Sequence, residues 1–214
     1  MPTSTWERLR PERRAKIIAA AQREFGAHGF SRASLNTIAR EAGVAKGSLF
    51  QYFDDKLDFF AYLAELAAET IRTEITAAIA GLGWDDDFFG SLVEALGIWD
   101  DYFAAHPEER AITAAVNLEG DDQARVAVRQ AVNPHYVAVL EPLVAMGQAS
   151  GQLRVDANAQ MAVAMLVLWL PHLALAPHVE GLDPVLGLDQ RDRSARHEVY
   201  VELVDVFRRA FGSA

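Results

Sequence analysis

The chain has 214 residues, 51% of them apolar and 23% charged, which is globular composition and excludes a disordered or fibrous protein. It has no cysteine, so a disulfide framework, a Zn–thiolate site and a thiol nucleophile are excluded too. Thirty Asp and Glu against twenty Lys and Arg leave a formal net charge of -10, which by itself argues against a nucleic-acid partner.

Helical periodicity dominates from the N-terminus onward. Ile17, Ile18, Ala21 and Phe25 form one stripe of a helix that Pro11 opens and Gly29 closes. Ser34 is placed to cap a short helix running to Ala42; Gly43 breaks it, and a second short helix covers about Lys46 to Tyr52. A long amphipathic helix starts at Lys56 and ends near Gly81–Gly83, with Phe59, Phe60, Leu63, Leu66, Ile71 and Ile75 on its apolar face. Asp85, Asp86 and Asp87 precede a further helix, where acids offset unpaired N–H groups of the first turn. Pro107 restarts a helix through Asn117, and Asp121–Asp122 begin another. Asn133–Pro134 reads as the cap and first residue of a separate helix reaching about Ser150–Gly151.

The run Met161 to Ala176 is apolar on nearly every face, the pattern of a helix buried on two sides. At 16 residues it falls short of the roughly 20 that a membrane span needs. The first thirty residues show no basic-then-apolar signal peptide, so a cytoplasmic protein without a membrane partner is expected. After a Gly/Pro/Asp-rich loop around residues 180–192, Val199, Tyr200, Leu203, Val206 and Phe207 mark a last amphipathic helix. No strand alternation, repeat or low-complexity tract appears. The fold class is all-α.

The net charge is unevenly distributed. Residues 1–56 hold ten cations and six anions, a balance of +4, and include all three lysines; the remainder holds ten cations and 24 anions, a balance of -14. Such asymmetry suggests a polyanion-facing module on an acidic body, although a solvated basic helix would look the same.

Within the basic segment, Leu35 to Phe53 has the spacing of a helix-turn-helix. Ala39 admits a close helix crossing, Gly43 supplies positive φ in the turn, and Ile38, Val44 and Leu49 pack the inside of the pair. Lys46, Gly47, Ser48, Gln51 and Tyr52 are then on or near the free face of the second helix. Lysine suits phosphate or guanine, Gln and Ser suit base edges, and Gly permits close approach. Lys56 could reach the phosphate backbone. An ordinary helical hairpin is the competing reading, and the coincident basic charge weighs against it.

These residues resemble the N-terminal domain of the TetR family of bacterial transcriptional regulators. The likeness covers roughly residues 11–63: Gly29–Phe30 after the first helix, Ser34, the core Ile38, Ala39, Ala42, Gly43 and Val44, the stretch Lys46 to Phe50, and the closing Phe53 and Lys56. The chain departs from the pattern twice. Ala45 stands where a Ser or Thr usually caps the recognition helix, and Phe50 stands where a Tyr hydroxyl usually contacts a phosphate; Tyr52 is the candidate substitute.

The resemblance implies a DNA-binding domain, residues 1–56, and a ligand-binding and dimerisation domain, residues 57–214. Ser34, Asn36, Thr37, Lys46, Gly47, Ser48, Gln51, Tyr52 and Lys56 are the candidate DNA contacts. It further implies a ligand-responsive regulator, usually a repressor, that binds a palindromic double-stranded DNA operator as a homodimer and is nucleoid-associated when bound. The last two helices would form the dimer contact, each offering one face to its own core and one to the partner. Trp99, Phe103, Asn117, Tyr136, Trp169 and His172 combine aromatic surface with a few polar groups, as effector pockets do, and a small, largely apolar effector is expected. Core packing is the competing role for each. Arg125 and Arg129 could meet an anionic head group or simply face solvent.

Enzyme chemistry finds no support in the sequence. Glu-x-x-His, His-x-x-x-His, Gly-x-Ser-x-Gly, Walker and Gly-x-Gly-x-x-Gly patterns are missing, and the six histidines are scattered, so no metal, cofactor or catalytic residue is expected. A helical small-molecule carrier or small enzyme with an incidental basic N-terminus is the alternative.

Overall fold

The computed structural model describes residues 2–213 and is helical throughout. Ten α-helices follow in order: α1 (Ser4–Glu7), α2 (Pro11–Arg32), α3 (Leu35–Ala42), α4 (Lys46–Tyr52), α5 (Lys56–Ile79), α6 (Phe88–Ala105), α7 (Pro107–Asn117), α8 (Asp122–Ala149), α9 (Ala159–Leu175) and α10 (Arg193–Phe211). Among the described residues there is no strand, only an isolated antiparallel bridge between Leu153 and Gly212. None of these helices is long and apolar enough to cross a membrane.

Local chemistry explains most of the boundaries. Pro11 occupies the first turn of α2, where its missing N–H costs nothing. Gly29 (φ 65°, ψ 178°) interrupts the helical backbone near the end of α2, as only glycine does without strain. Carboxylates and an amide start later helices: Asp87 accepts the Gly90 N–H at 2.9 Å, Asn158 that of Met161 at 3.1 Å, and Asp192 that of Ala195 at 2.9 Å.

Helix α8 corrects the sequence reading. It is one continuous helix from Asp122 to Ala149, with no new start at Asn133–Pro134. An internal proline forfeits one backbone hydrogen bond and crowds the preceding turn, at about 3 kcal/mol. Ala124, Val128, Val132, Leu140 and Val144 are buried at helical spacing on both sides of it, and that burial offsets the cost. Helix α9 is also not buried on two sides within one chain. Ala162, Val163, Leu166 and Leu173 are buried, whereas Met161 is exposed and Leu168 is 74% exposed.

The chain divides into two compact units, residues 1–71 with 107–134 and residues 72–106 with 135–214. The core of the first unit is built from Ile17, Ala21 and Phe25 of α2, Ile38 of α3, Leu49 of α4, Phe59, Phe60 and Leu63 of α5, and Ile112 and Val116 of α7. Its aromatic rings stack, Phe53 on Phe59 at 4.1 Å and Phe25 on Phe60 at 5.0 Å. In the second unit α6 packs on α9 and α10 through Leu92, Leu96, Trp99, Phe103, Leu166, Tyr200 and Phe207.

Candidate nucleic-acid interface

The local chemistry of residues 34–53 builds a helix-turn-helix. The Ser34 hydroxyl accepts the Thr37 N–H at 3.4 Å and starts α3. Its own N–H donates to the buried Glu24 carboxylate at 2.8 Å, which fixes α3 to α2. At the other end of α3, Gly43 adopts the left-handed conformation (φ 67°, ψ 36°), and its N–H and that of Val44 return to the last carbonyls of the helix. The turn redirects the chain into α4. There Ala45 has the extended backbone of an N-cap but no hydroxyl to accept a hydrogen bond.

Helix α4 turns Leu49 and Tyr52 inward and leaves Lys46, Gly47, Phe50 and Gln51 exposed, with Ser48 half-buried at the edge. Asn36 is exposed on α3, and Thr37 is half-buried. Tyr52 is the exception among the expected surface residues. It is 4% exposed, its ring 5.7 Å from that of Trp6, so it is not on the free face and the hydroxyl that Phe50 lacks has no substitute there. Lys56 is half-buried: its ammonium donates to the carbonyls of Ala33 at 3.1 Å and Ser31 at 3.3 Å and sits 4.5 Å above the Phe30 ring. It closes the end of α2. Arg8, Arg10, Arg13 and Lys16 are exposed around the start of the same unit.

Two supports of this motif have no signal in the helix-turn-helix spacing. An N-terminal arm holds the far end of α4. Thr3 donates its N–H to the Tyr52 carbonyl at 2.9 Å and its hydroxyl to the Gln51 carbonyl at 2.6 Å. Trp6, 1% exposed, packs among Tyr52, Phe53 and Tyr62 and donates its indole N–H to the Tyr62 hydroxyl at 3.2 Å. An isolated Trp in a polar N-terminal stretch is the one hint the sequence offers. The second support is Glu119, just after α7, whose carboxylate accepts the Phe30 N–H at 2.8 Å and the Ser31 hydroxyl at 3.2 Å. It satisfies groups that the Gly29 break leaves open.

In the second unit, three expected effector residues come together. The Trp99 ring lies 4.9 Å from Phe103 and 6.2 Å from Tyr136, and its indole N–H donates to the Leu170 carbonyl at 2.9 Å. Trp169 and His172, both half-buried, are on α9, with the Trp169 ring 6.1 Å from Phe207. Asn117 belongs to the first unit, where its amide donates to the Thr113 carbonyl one turn back. Arg125 pairs with Asp122 on the exposed face of α8, and Arg129 is half-buried.

An open groove of about 600 Å³ runs between α6 and α10, lined by Gly97, Ile98, Asp101, Arg193, His197 and Tyr200 among others. It is walled by the two-point pair of Asp101 with Arg193 at 2.6 Å and the enclosed pair of Asp100 with Arg196 at 2.9 Å. The hydrogen bond from Arg193 holds the Asp101 carboxyl below its ordinary pKa, and burial pushes the Tyr200 hydroxyl well above its own. The Asp101–Arg193 pair thus stays intact at neutral pH. Among the described residues, no three His, Asp or Glu side chains gather as a metal site.

Residues 17–63, spanning the helix-turn-helix and its flanking helices, match the bacterial regulatory proteins of the tetR family. The likeness to the TetR family is thus carried by this N-terminal segment. It is similar to the transcriptional regulator HbdR of Aromatoleum sp. (strain CIB), 39% identical over 75 residues, which is 35% of this chain and only 33% of that protein. The transcriptional repressor NicS of Pseudomonas putida is 28% identical over 185 residues, covering 86% of this chain and 84% of that one. The fold is shared with FadR, the fatty acid degradation regulator of Bacillus halodurans (TM-score 0.71, 20% identity, 92% of this chain and 96% of that one). It is shared too with Bacillus subtilis FadR solved in complex with stearoyl-CoA (TM-score 0.67, 18% identity, 89% and 96%).

Proposed function

We propose that this chain is a ligand-responsive transcriptional regulator of the TetR family, most simply a repressor, acting in the cytoplasm on a palindromic operator. Residues 1–56 form the DNA-reading part and residues 57–214 the effector and dimerisation part. The observation that carries the reading is α4: a short helix after a left-handed glycine turn, with Lys46, Gly47 and Gln51 exposed on one side. Lysine and glutamine there supply phosphate and base-edge contacts, and the +4 balance of residues 1–56 supplies long-range attraction.

A homodimer accounts for the outward stripe of α9. Met161, Ala164, Met165, Leu168 and His172 recur at helical spacing and are exposed or half-buried, beside Leu203, Val206 and Ala210 on α10. Pairing these faces about a two-fold axis buries them and presents two recognition helices to successive major grooves. The effector would be small and largely apolar, received by the cluster of Trp99, Phe103 and Tyr136 with Trp169 and His172 on α9. Effector binding would favour a dimer geometry that no longer matches the half-site spacing. Lys46→Ala is expected to weaken operator binding and leave the melting temperature unchanged. Unchanged DNA affinity in that variant, measured by gel shift at low salt, would overturn the assignment of α4.

A further inference from the structure

We infer that Phe50 reads the 5-methyl group of a thymine in each half-site, with Gly47 leaving the space for it; this rests on the DNA-binding reading above. At about 100° per residue, Lys46, Phe50, Gly47 and Gln51 follow one another around about 140° of α4, while Leu49 and Tyr52 are buried on the opposite side. Phe50 is therefore near the middle of the free face and not on its flank, and it is 49% exposed. An exposed aromatic ring at the centre of an otherwise polar recognition face needs a partner of its own kind. Phe50 neither donates nor accepts a hydrogen bond, so it gains nothing from phosphate oxygens or from the donor and acceptor groups on base edges. The thymine methyl is the apolar group that the major groove presents.

Gly47, one turn before Phe50, points the same way. Glycine has more backbone freedom to lose than alanine on entering a helix, in the first turn of α4 as elsewhere. Nothing inside the fold calls for it: α4 is helical at Gly47, and beyond its chain neighbours and its own helix backbone nothing lies within 4 Å of where its Cβ would be. The missing side chain leaves the helix surface open one turn before Phe50, where a methyl-bearing base edge can come close. Lys46 and Gln51 border that opening and fix the register through phosphate and neighbouring bases.

The test uses the full-length protein and an operator selected from random duplexes. Each thymine is replaced in turn by deoxyuridine, which removes only the methyl group, and affinities are measured for wild type, Phe50→Ala and Phe50→Leu. Wild type is expected to lose about fourfold at one thymine per half-site and about sixteenfold when both methyls are removed, the worth of one buried methyl per contact. Phe50→Ala should show no further loss at that thymine, and Phe50→Leu should keep most of the sensitivity. Equal methyl sensitivity in wild type and Phe50→Ala at every thymine, or none in wild type, would overturn the inference while operator binding itself stands. Failure of wild type to be retained on any duplex at low salt would overturn this inference and the DNA-binding reading together.

Discussion

Replacement of Gly43 by valine isolates the turn between α3 and α4. Gly43 has φ 67° and ψ 36°, and beyond its two chain neighbours nothing lies within 4 Å of a Cβ built there, so the added carbon meets open space. The whole cost is backbone strain. A left-handed residue other than glycine costs about 1–2 kcal/mol, and a β-branched one more, because its second γ-carbon also crowds the backbone. Gly43→Ala is therefore expected to lose about 1–2 kcal/mol, Gly43→Val about 2–3 kcal/mol, and Gly43→Asn the least, since asparagine tolerates this region best. For a chain of this size each kcal/mol moves the melting temperature by about 2–4 °C. Thermal and urea unfolding followed by circular dichroism rank the three variants. Equal melting of Gly43→Val and wild type would show that the turn is not where the structure has it.

Other perturbations address the supports of the same motif. Thr3→Val removes the hydroxyl bond to Gln51 but keeps the Thr3 backbone bond, whereas Thr3→Ser keeps both. Operator affinity is expected to fall in the first and be restored in the second; no difference between them would leave the arm without a positioning role. Ala45→Ser adds the missing N-cap acceptor on a backbone already extended, so stability should rise by about 1 kcal/mol, read as a higher urea midpoint. In the loop after α9, burial pushes the Asp183 carboxyl pKa up, but N–H groups of Leu186, Val185 and Leu188, with His172, bring it below the ordinary value. Its stabilisation is therefore fully present above about pH 4, the unfolded carboxylate value, and is lost as pH falls through the lower folded value. Asp183→Asn should lower stability at pH 7 by about 1–2 kcal/mol and flatten the acid limb of the stability–pH profile; an unchanged acid limb would assign that limb to other carboxylates.

What the sequence made legible was whatever is decided within a few residues. Ser34, Gly43 and Pro107 act on their own turns, and the helix ends they set, in α3 and α7, are where they were expected. Pro134 misled because a proline's local cost can be outweighed by apolar burial a turn or two away, which pattern alone does not weigh. Tyr52 misled for a related reason. On the α4 wheel it shares the buried side with Leu49, and the partner that covers it is Trp6, 46 positions earlier in the chain. Glu119 stands 89 residues from the Phe30 N–H it accepts, beyond the reach of spacing rules. The effector residues were harder still, since an aromatic side chain on an amphipathic helix has the same pattern in a core as in a pocket. Trp99 illustrates this: its hydrogen bond to Leu170 and its contacts with Phe103 and Tyr136 serve packing as well as they would frame a ligand.

The charge partition carries a consequence for specificity. On the proposed function, the ten cations of residues 1–56 would draw α4 toward DNA, while the -14 of the remaining chain would disfavour contact through other surfaces. Binding should accordingly weaken as salt rises, with a slope set by the number of phosphates that residues 1–56 neutralise. Selection of bound fragments from a pool of random duplexes at low salt, followed by sequencing, tests the central claim most directly. A palindrome with half-sites about one helical turn apart, or a multiple of it, is the result expected of a dimer presenting two copies of α4. Failure to retain any duplex, or enrichment of sequences without two-fold symmetry, would contradict it.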